Sequence, residues 1–123
     1  MKYTQTGLIL FTENYDECVA FYRDALSLPV LEVLDNEHSK LTKFRYGADT
    51  YLMIETEGTA RPGGKSLDEN SVWLRFNVAD VETAAAELEG KGVEVSIRRE
   101  VWGILADFKD PDGNLCSLRQ EDA

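Results

Sequence analysis

The amino-acid sequence predicts an α+β fold, one domain over residues 1–123 made of two tandem β-α-β-β-β modules. Three observations predict it. The order strand, helix, strands occurs twice at a spacing of roughly 65 residues, as in a duplicated half-domain. A polar residue able to cap precedes each helix: Asn14 or Asp16 in the first copy, Asp80 in the second. Each copy ends in a hairpin, and the second turns through Asp110-Pro111-Asp112-Gly113-Asn114, the densest group of turn formers in the chain. There Pro presets φ at the first corner and Gly tolerates a positive φ at the next.

The first module is expected over residues 1–57. Thr6 to Phe11 (TGLILF) is a β-branched and aliphatic run that reads as a strand. From Tyr15 to Leu26 the apolar residues Cys18, Val19, Phe21, Tyr22, Ala25 and Leu26 recur at three and four, the spacing of a helix with one buried stripe. Leu28-Pro29 ends it, and Val30 to Leu34 forms the next strand. After a polar turn, Leu41 to Tyr46 and Thr50 to Thr56 make a hairpin about Gly47-Ala48-Asp49.

Residues 58–70 form a linker or a loop over a pocket, since the stretch Glu57 to Asn70 holds four Gly and Pro residues and no periodicity. The second module is expected over residues 71–123. Ser71 to Val78 alternates strictly, with Val72, Leu74, Phe76 and Val78 on one face and Trp73, Arg75 and Asn77 on the other. Asp80 opens a helix whose stripe is Val81, Ala84, Ala85 and Leu88, and Gly90 to Gly92 stops it. Val93 to Ile97 reads as a strand. The last hairpin pairs a strand around Ile104 to Phe108 with Leu115 to Arg119, where Cys116 and Leu118 share one face and Leu115, Ser117 and Arg119 the other.

Composition narrows the function. With 43% hydrophobic and 29% charged residues the chain is an ordinary folded domain. Its longest apolar run is far too short to span a bilayer, and no basic-then-apolar segment opens it, so the expected location is the cytoplasm. A net charge of −10, from 13 basic and 23 acidic side chains, argues against a nucleic-acid partner. The same field favours cationic small molecules, although it also serves solubility alone. Cys18 and Cys116 are expected as free thiols, and one histidine (His38, in a polar turn) with no paired cysteines rules out a structural zinc site.

Three segments in this order resemble the vicinal oxygen chelate superfamily, which holds glyoxalase I, extradiol dioxygenases and the bleomycin and fosfomycin resistance proteins. They are Phe21 to Leu28 (FYRDALSL), Asn77 to Leu88 (NVADVETAAAEL) and Asp110 to Asn114 (DPDGN). The resemblance implies that each module curls into part of a curved mixed sheet and that the two sheets enclose a cavity. It also implies a homodimer, in some members with modules swapped between chains.

Metalloenzymes of that superfamily hold a divalent ion through one His, Gln or Glu on each of four inward strand positions, leaving sites open for a substrate's paired oxygens. The resemblance puts those positions at Gly7, Met53, Trp73 and Ser117, none a usable ligand. A one-residue slip, which would turn every side chain to the other face, recovers no His/Glu set. Sliding two residues along the fourth strand gives only Glu55. No metal of the family type and no other cofactor is therefore expected.

On the cavity side, alternation places Phe11 with Gly7 and Ile9, then Tyr51, Met53 and Glu55 on the fourth strand. The second module adds Trp73, Arg75 and Asn77, and Leu115, Ser117 and Arg119. Such walls suit a planar or amphipathic organic molecule. Trp73 offers a stacking platform or simply fills the space of the missing ion. Arg75 and Glu55 bind ligand charges or pair with each other. Trp102 lies at the rim or under a dimer partner. The expected ligand-binding set is Phe11, Tyr51, Met53, Glu55, Trp73, Arg75, Trp102 and Ser117. The leading expectation is a metal-independent protein that sequesters an organic ligand in the cavity between the modules, like the bleomycin-resistance branch. The alternatives are a glyoxalase-like lyase or isomerase with Glu55 as general base, and a dimerising module with no ligand. Ser117 has no histidine to serve as its base.

Overall fold

The computed structural model describes residues 1–56, 65–66, 69–70 and 72–120. The chain divides into two compact units, Met1–Pro62 and Gly63–Ala123. Most of the expected linker lies outside the described residues.

The first unit holds β1 (Thr6–Phe11), α1 (Tyr15–Ala20, continued by a wider turn over Phe21–Ala25), β2 (Val30–Asp35), β3 (Lys40–Gly47) and β4 (Thr50–Glu55). The second holds β5 (Trp73–Asn77), α2 (Val81–Gly90), β6 (Ser96–Glu100), β7 (Gly103–Lys109) and β8 (Leu115–Gln120). The sheets run β1-β4-β3-β2 and β5-β8-β7-β6, the same order shifted by four strands. In each, the first and last strands of the module pair in parallel and the remaining pairs are antiparallel. The expected α+β fold of two β-α-β-β-β modules is present.

One face of each sheet packs on its helix. In the first unit Phe44, Leu52 and Ile54 are buried on that face, and Tyr22 of the helix lies 6.3 Å from the Phe44 ring. The Tyr15 hydroxyl also bonds the Thr42 hydroxyl across the helix–sheet contact. In the second unit Val81, Ala85 and Leu88 of α2 cover Leu74, Ala106, Phe108, Cys116 and Leu118, all buried. Cys18 and Cys116 are buried, free thiols on helix and strand.

Two elements depart from the sequence expectation. The helix expected over Tyr15 to Leu26 does not stay α-helical: after Ala20 it widens by one residue, so that the Leu26 amide donates to the Phe21 carbonyl at 3.1 Å. Tyr22 becomes fully buried in the wide turn, whereas Phe21, Ala25 and Leu26 are only half-buried. Ser27, with φ of 56°, then reverses the chain before Pro29. The second departure is β6, expected at Val93 to Ile97 and found three residues later. Val93 is not free to start a strand because its amide donates to the Leu88 carbonyl at 3.0 Å, while that of Gly92 donates to Glu89. Together these bonds form the two-bond stop of α2 around left-handed Gly92. Capping divides as well: the Asp80 carboxylate accepts from the Thr83 amide, but in α1 neither Asn14 nor Asp16 supplies such a bond. There the Thr12 hydroxyl accepts from the Asn14 amide.

The Asp110–Asn114 turn is built around a buried carboxylate. Asp110 accepts from the amides of Asp112 and Asn114 and from the Asn114 side-chain amide, all at 2.7–2.9 Å. The outer side of the turn carries residues from the start of the unit. The Lys65 amide donates to the Asp112 carbonyl, the Lys65 ammonium to Asn114 Oδ1, and the Asn70 side chain to the Gly113 carbonyl.

Asp110→Ala leaves two buried amides and the Asn114 side chain without their acceptor, and is expected to cost about 3 kcal/mol in urea denaturation. Asp110→Asn, which retains one acceptor oxygen, should cost about half of that. At Gly113, φ is +82° and an added Cβ would lie 2.6 Å from the Lys65 nitrogen; at Gly92, φ is +88° but the space is open. Gly92→Ala should therefore cost only the left-handed penalty of about 1 kcal/mol, and Gly113→Ala clearly more. Equal losses would show that Lys65 does not rest on the turn in solution.

Candidate functional site

The candidate site is the face of each sheet turned away from its helix. Strand pairing puts Gly7, Ile9 and Phe11 of β1 beside Tyr51, Met53 and Glu55 of β4, residue for residue. On β3 the partners of Glu55 and Met53 are Leu41 and Lys43. Phe11 is 52% exposed and Ile9 41%, a density of solvent-facing apolar groups that a face serving only solubility does not need. Glu55 sits half-buried at the end of β4 between Phe11 and Leu41.

A line of side chains crosses this face over all four strands. Glu32 pairs with Lys43 at 3.5 Å, the Lys43 ammonium lies 4.8 Å from the Tyr51 ring centroid, and the ring lies against Gly7. A Cβ placed on Gly7 would come within 2.2 Å of the ring. Glycine is what lets the tyrosine lie flat against the backbone of β1.

The far face of the second unit is more polar. Trp73, Arg75 and Asn77 of β5 pair with Leu115, Ser117 and Arg119 of β8. Trp73 is 44% exposed. Ser117 is fully buried, and its hydroxyl accepts from Arg75 Nε at 2.7 Å. Asp107 of β7 stands opposite Ser117 and accepts from Arg98 of β6 at 2.9 Å. Hydrogen bonding to Asp107 is the main cause that raises the Arg98 pKa above its ordinary value. Trp102, in the turn between β6 and β7, is half exposed, with the Arg119 guanidinium 5.0 Å from its ring centroid. His38 is exposed beside Glu37 in the β2–β3 turn.

The structure thus brings Phe11, Tyr51, Met53 and Glu55 together on one sheet, and Trp73, Arg75 and Ser117 on the other, with Trp102 at the β6–β7 turn beside Arg119. Lys43, Arg98 and Asp107 share these faces but lie on strands whose lining was not singled out from the sequence. Alternation counted outward from Met53 and Ser117 would have found them once the pairing register was known.

At the four positions that the resemblance implies for a divalent ion, the residues do not fit one. Gly7 has no side chain, and the Tyr51 ring takes the place of one. Met53 offers a thioether and Trp73 an indole, neither a ligand for a hard cation. Ser117 already receives a guanidinium proton. Among the described residues no three His, Cys, Asp or Glu side chains gather as a metal-binding group.

A family model described as Glyoxalase/Bleomycin resistance protein/Dioxygenase superfamily matches residues 4–118. The uncharacterized protein YraH of Bacillus subtilis (strain 168) is 31% identical over 128 residues, covering 96% of this chain and 97% of its own. TnmS3, an antibiotic binding protein from Streptomyces sp. CB03234, is similar in structure, with a TM-score of 0.76 and 26% identity over 99% of this chain and 98% of that one. A glyoxalase/bleomycin resistance protein from the same Streptomyces has a TM-score of 0.71 and 26% identity, covering 94% of this chain and 99% of that one. With the match running over nearly its full length, the chain belongs to the Glyoxalase/Bleomycin resistance protein/Dioxygenase superfamily.

Proposed function

We propose that this protein binds a small organic molecule, without a metal ion, on the sheet faces that its helices leave uncovered. The observation that carries the reading is the set of aromatic and apolar groups on these faces, at and around the positions where the resemblance places chelators. On the first sheet Tyr51 lies over Gly7 and Phe11 and Ile9 are exposed; on the second, Trp73 stands half exposed. The similarity to TnmS3, which is an antibiotic binding protein, supports the same reading. Affinity would come from apolar burial at about 25 cal/mol per Å² before ordering costs. On the second sheet Trp73 would supply a flat surface for a ring, with Arg75 and Trp102 as polar and rim contacts; on the first, Tyr51 and Met53 would supply an apolar wall with Glu55 as its polar contact.

A thermal-shift screen of antibiotics and dicarbonyl adducts tests this, because a ligand at 100 times its Kd stabilises the folded state by about 2.7 kcal/mol. For a domain of this size that amounts to a shift of several degrees. Trp73→Ala should abolish the shift given by any hit while leaving the unliganded Tm within about two degrees. An unchanged shift in Trp73→Ala would remove the tryptophan from the site. If a hit is instead turned over, and Glu55→Gln stops the turnover, the protein is an enzyme with Glu55 as its base and sequestration is the wrong description.

A further inference from the structure

Arg119 is a half-buried cation at the end of β8. Both carboxylates on the far face of the second sheet, Asp107 and Glu100, accept from Arg98. Arg99, on the opposite face, pairs with Glu82 of α2. Arg119 has no ion pair among the described residues, in a chain with a net charge of −10. One Nη2 hydrogen goes to the Trp102 carbonyl at 3.1 Å, and the guanidinium packs 5.0 Å from the Trp102 ring. Its Nε is buried without a hydrogen-bond partner. A Cβ on Gly103 would lie 3.3 Å from that Nε, so glycine leaves room for the arginine stem. The result is a partly desolvated cation, held by a ring, a carbonyl and a glycine, with most of its five donors bonded to none of the described residues.

Among the described residues no carboxylate meets this group. The neighbouring row of the same face holds Arg75, and the row beyond it Trp73, so two guanidinium groups and a half-exposed indole follow one another along the β5–β8 pair. Four residues along a strand span roughly 13 Å, the length of a two- or three-ring molecule with a substituent. A planar guanidinium matches a carboxylate through two parallel hydrogen bonds, which an ammonium cannot do. Resting on the small-molecule reading above, we infer that the ligand is a flat aromatic carboxylate. Its anionic group meets Arg119 beside Trp102, and its ring system runs over Arg75 towards Trp73. The overall negative charge of the protein would favour a cationic ligand at long range. At contact range the fixed guanidinium decides, because charges beyond a Debye length of about 10 Å are largely screened.

The experiment compares 2-naphthoate with 2-naphthamide by calorimetric titration of the wild-type protein and of Arg119→Gln and Arg119→Lys. The wild type should bind the carboxylate about tenfold more tightly than the amide. Its affinity for the carboxylate alone should fall as sodium chloride rises. Arg119→Gln should erase the preference by lowering carboxylate affinity about tenfold, towards that of the amide, and Arg119→Lys should restore only part of it, since lysine supplies charge without the fork. Equal affinity of the two probes in the wild type, or a preference that survives in Arg119→Gln, would overturn the inference and leave the small-molecule reading standing. Loss of amide binding in both variants would show that Arg119 only supports the fold, and would overturn it as well. If neither probe binds, the inference fails; if uncharged flat molecules also give no Trp73-dependent thermal shift, the reading beneath it fails too.

Discussion

A four-stranded sheet has two faces, and in each unit of this protein a single short helix covers one of them. Everything else about the molecule follows from that shortage of cover. The helix-side faces are ordinary core: Tyr22 on Phe44 in the first unit, and Val81, Ala85 and Leu88 over Phe108 and Leu118 in the second. The other faces have no helix, and on them exposed apolar groups stand among the charged ones. They carry Phe11, Ile9, Met53 and Trp73, held among a few fixed polar groups. A sheet face of that composition suits binding a molecule better than packing a core.

How the faces are held is unusual in a related way. On each, a row of side chains crosses several strands and ends at a position that the resemblance marks for a chelator. In the first unit the row runs Glu32, Lys43, Tyr51 and stops against Gly7. In the second, Arg75 ends on the buried Ser117, opposite the Asp107 that receives Arg98. An ion pair, a cation over a ring and a ring over glycine are each modest individually, typically below about 1 kcal/mol for exposed groups. Their effect here is geometric: they hold Tyr51 and Arg75 in place, where a divalent ion would have used its own ligands to do so.

Much of this was legible in the chain. Period-two alternation separates Trp73, Arg75 and Ser117 from Leu74 and Cys116, and the duplicated element order predicts the two-sheet plan. What the sequence did not reveal depends on pairing register or on who uses a backbone amide. Lys43 lies over Tyr51 only because its strand is offset diagonally, and nothing local marks that offset. The start of β6 was misplaced because Val93 looks like a strand residue while its amide serves the end of α2. The wide turn after Ala20 escaped for a similar reason: the three-and-four spacing of apolar residues accommodates one extra residue in the last turn without visible disruption. Asp110 was read as a turn former; its further role as a buried acceptor, with Lys65 and Asn70 laid across the same turn, joins residues more than forty positions apart.

The account turns on the idea that these sheet faces have given up coordination chemistry for contact with an organic surface. The most direct test is calorimetric titration of chelator-stripped protein with Ni²⁺, Zn²⁺, Mn²⁺ and Fe²⁺. The account predicts no saturable, stoichiometric uptake and no change in thermal stability with any of the four. One ion bound per chain at micromolar or tighter affinity, and released when Tyr51 or Ser117 is replaced, would contradict it.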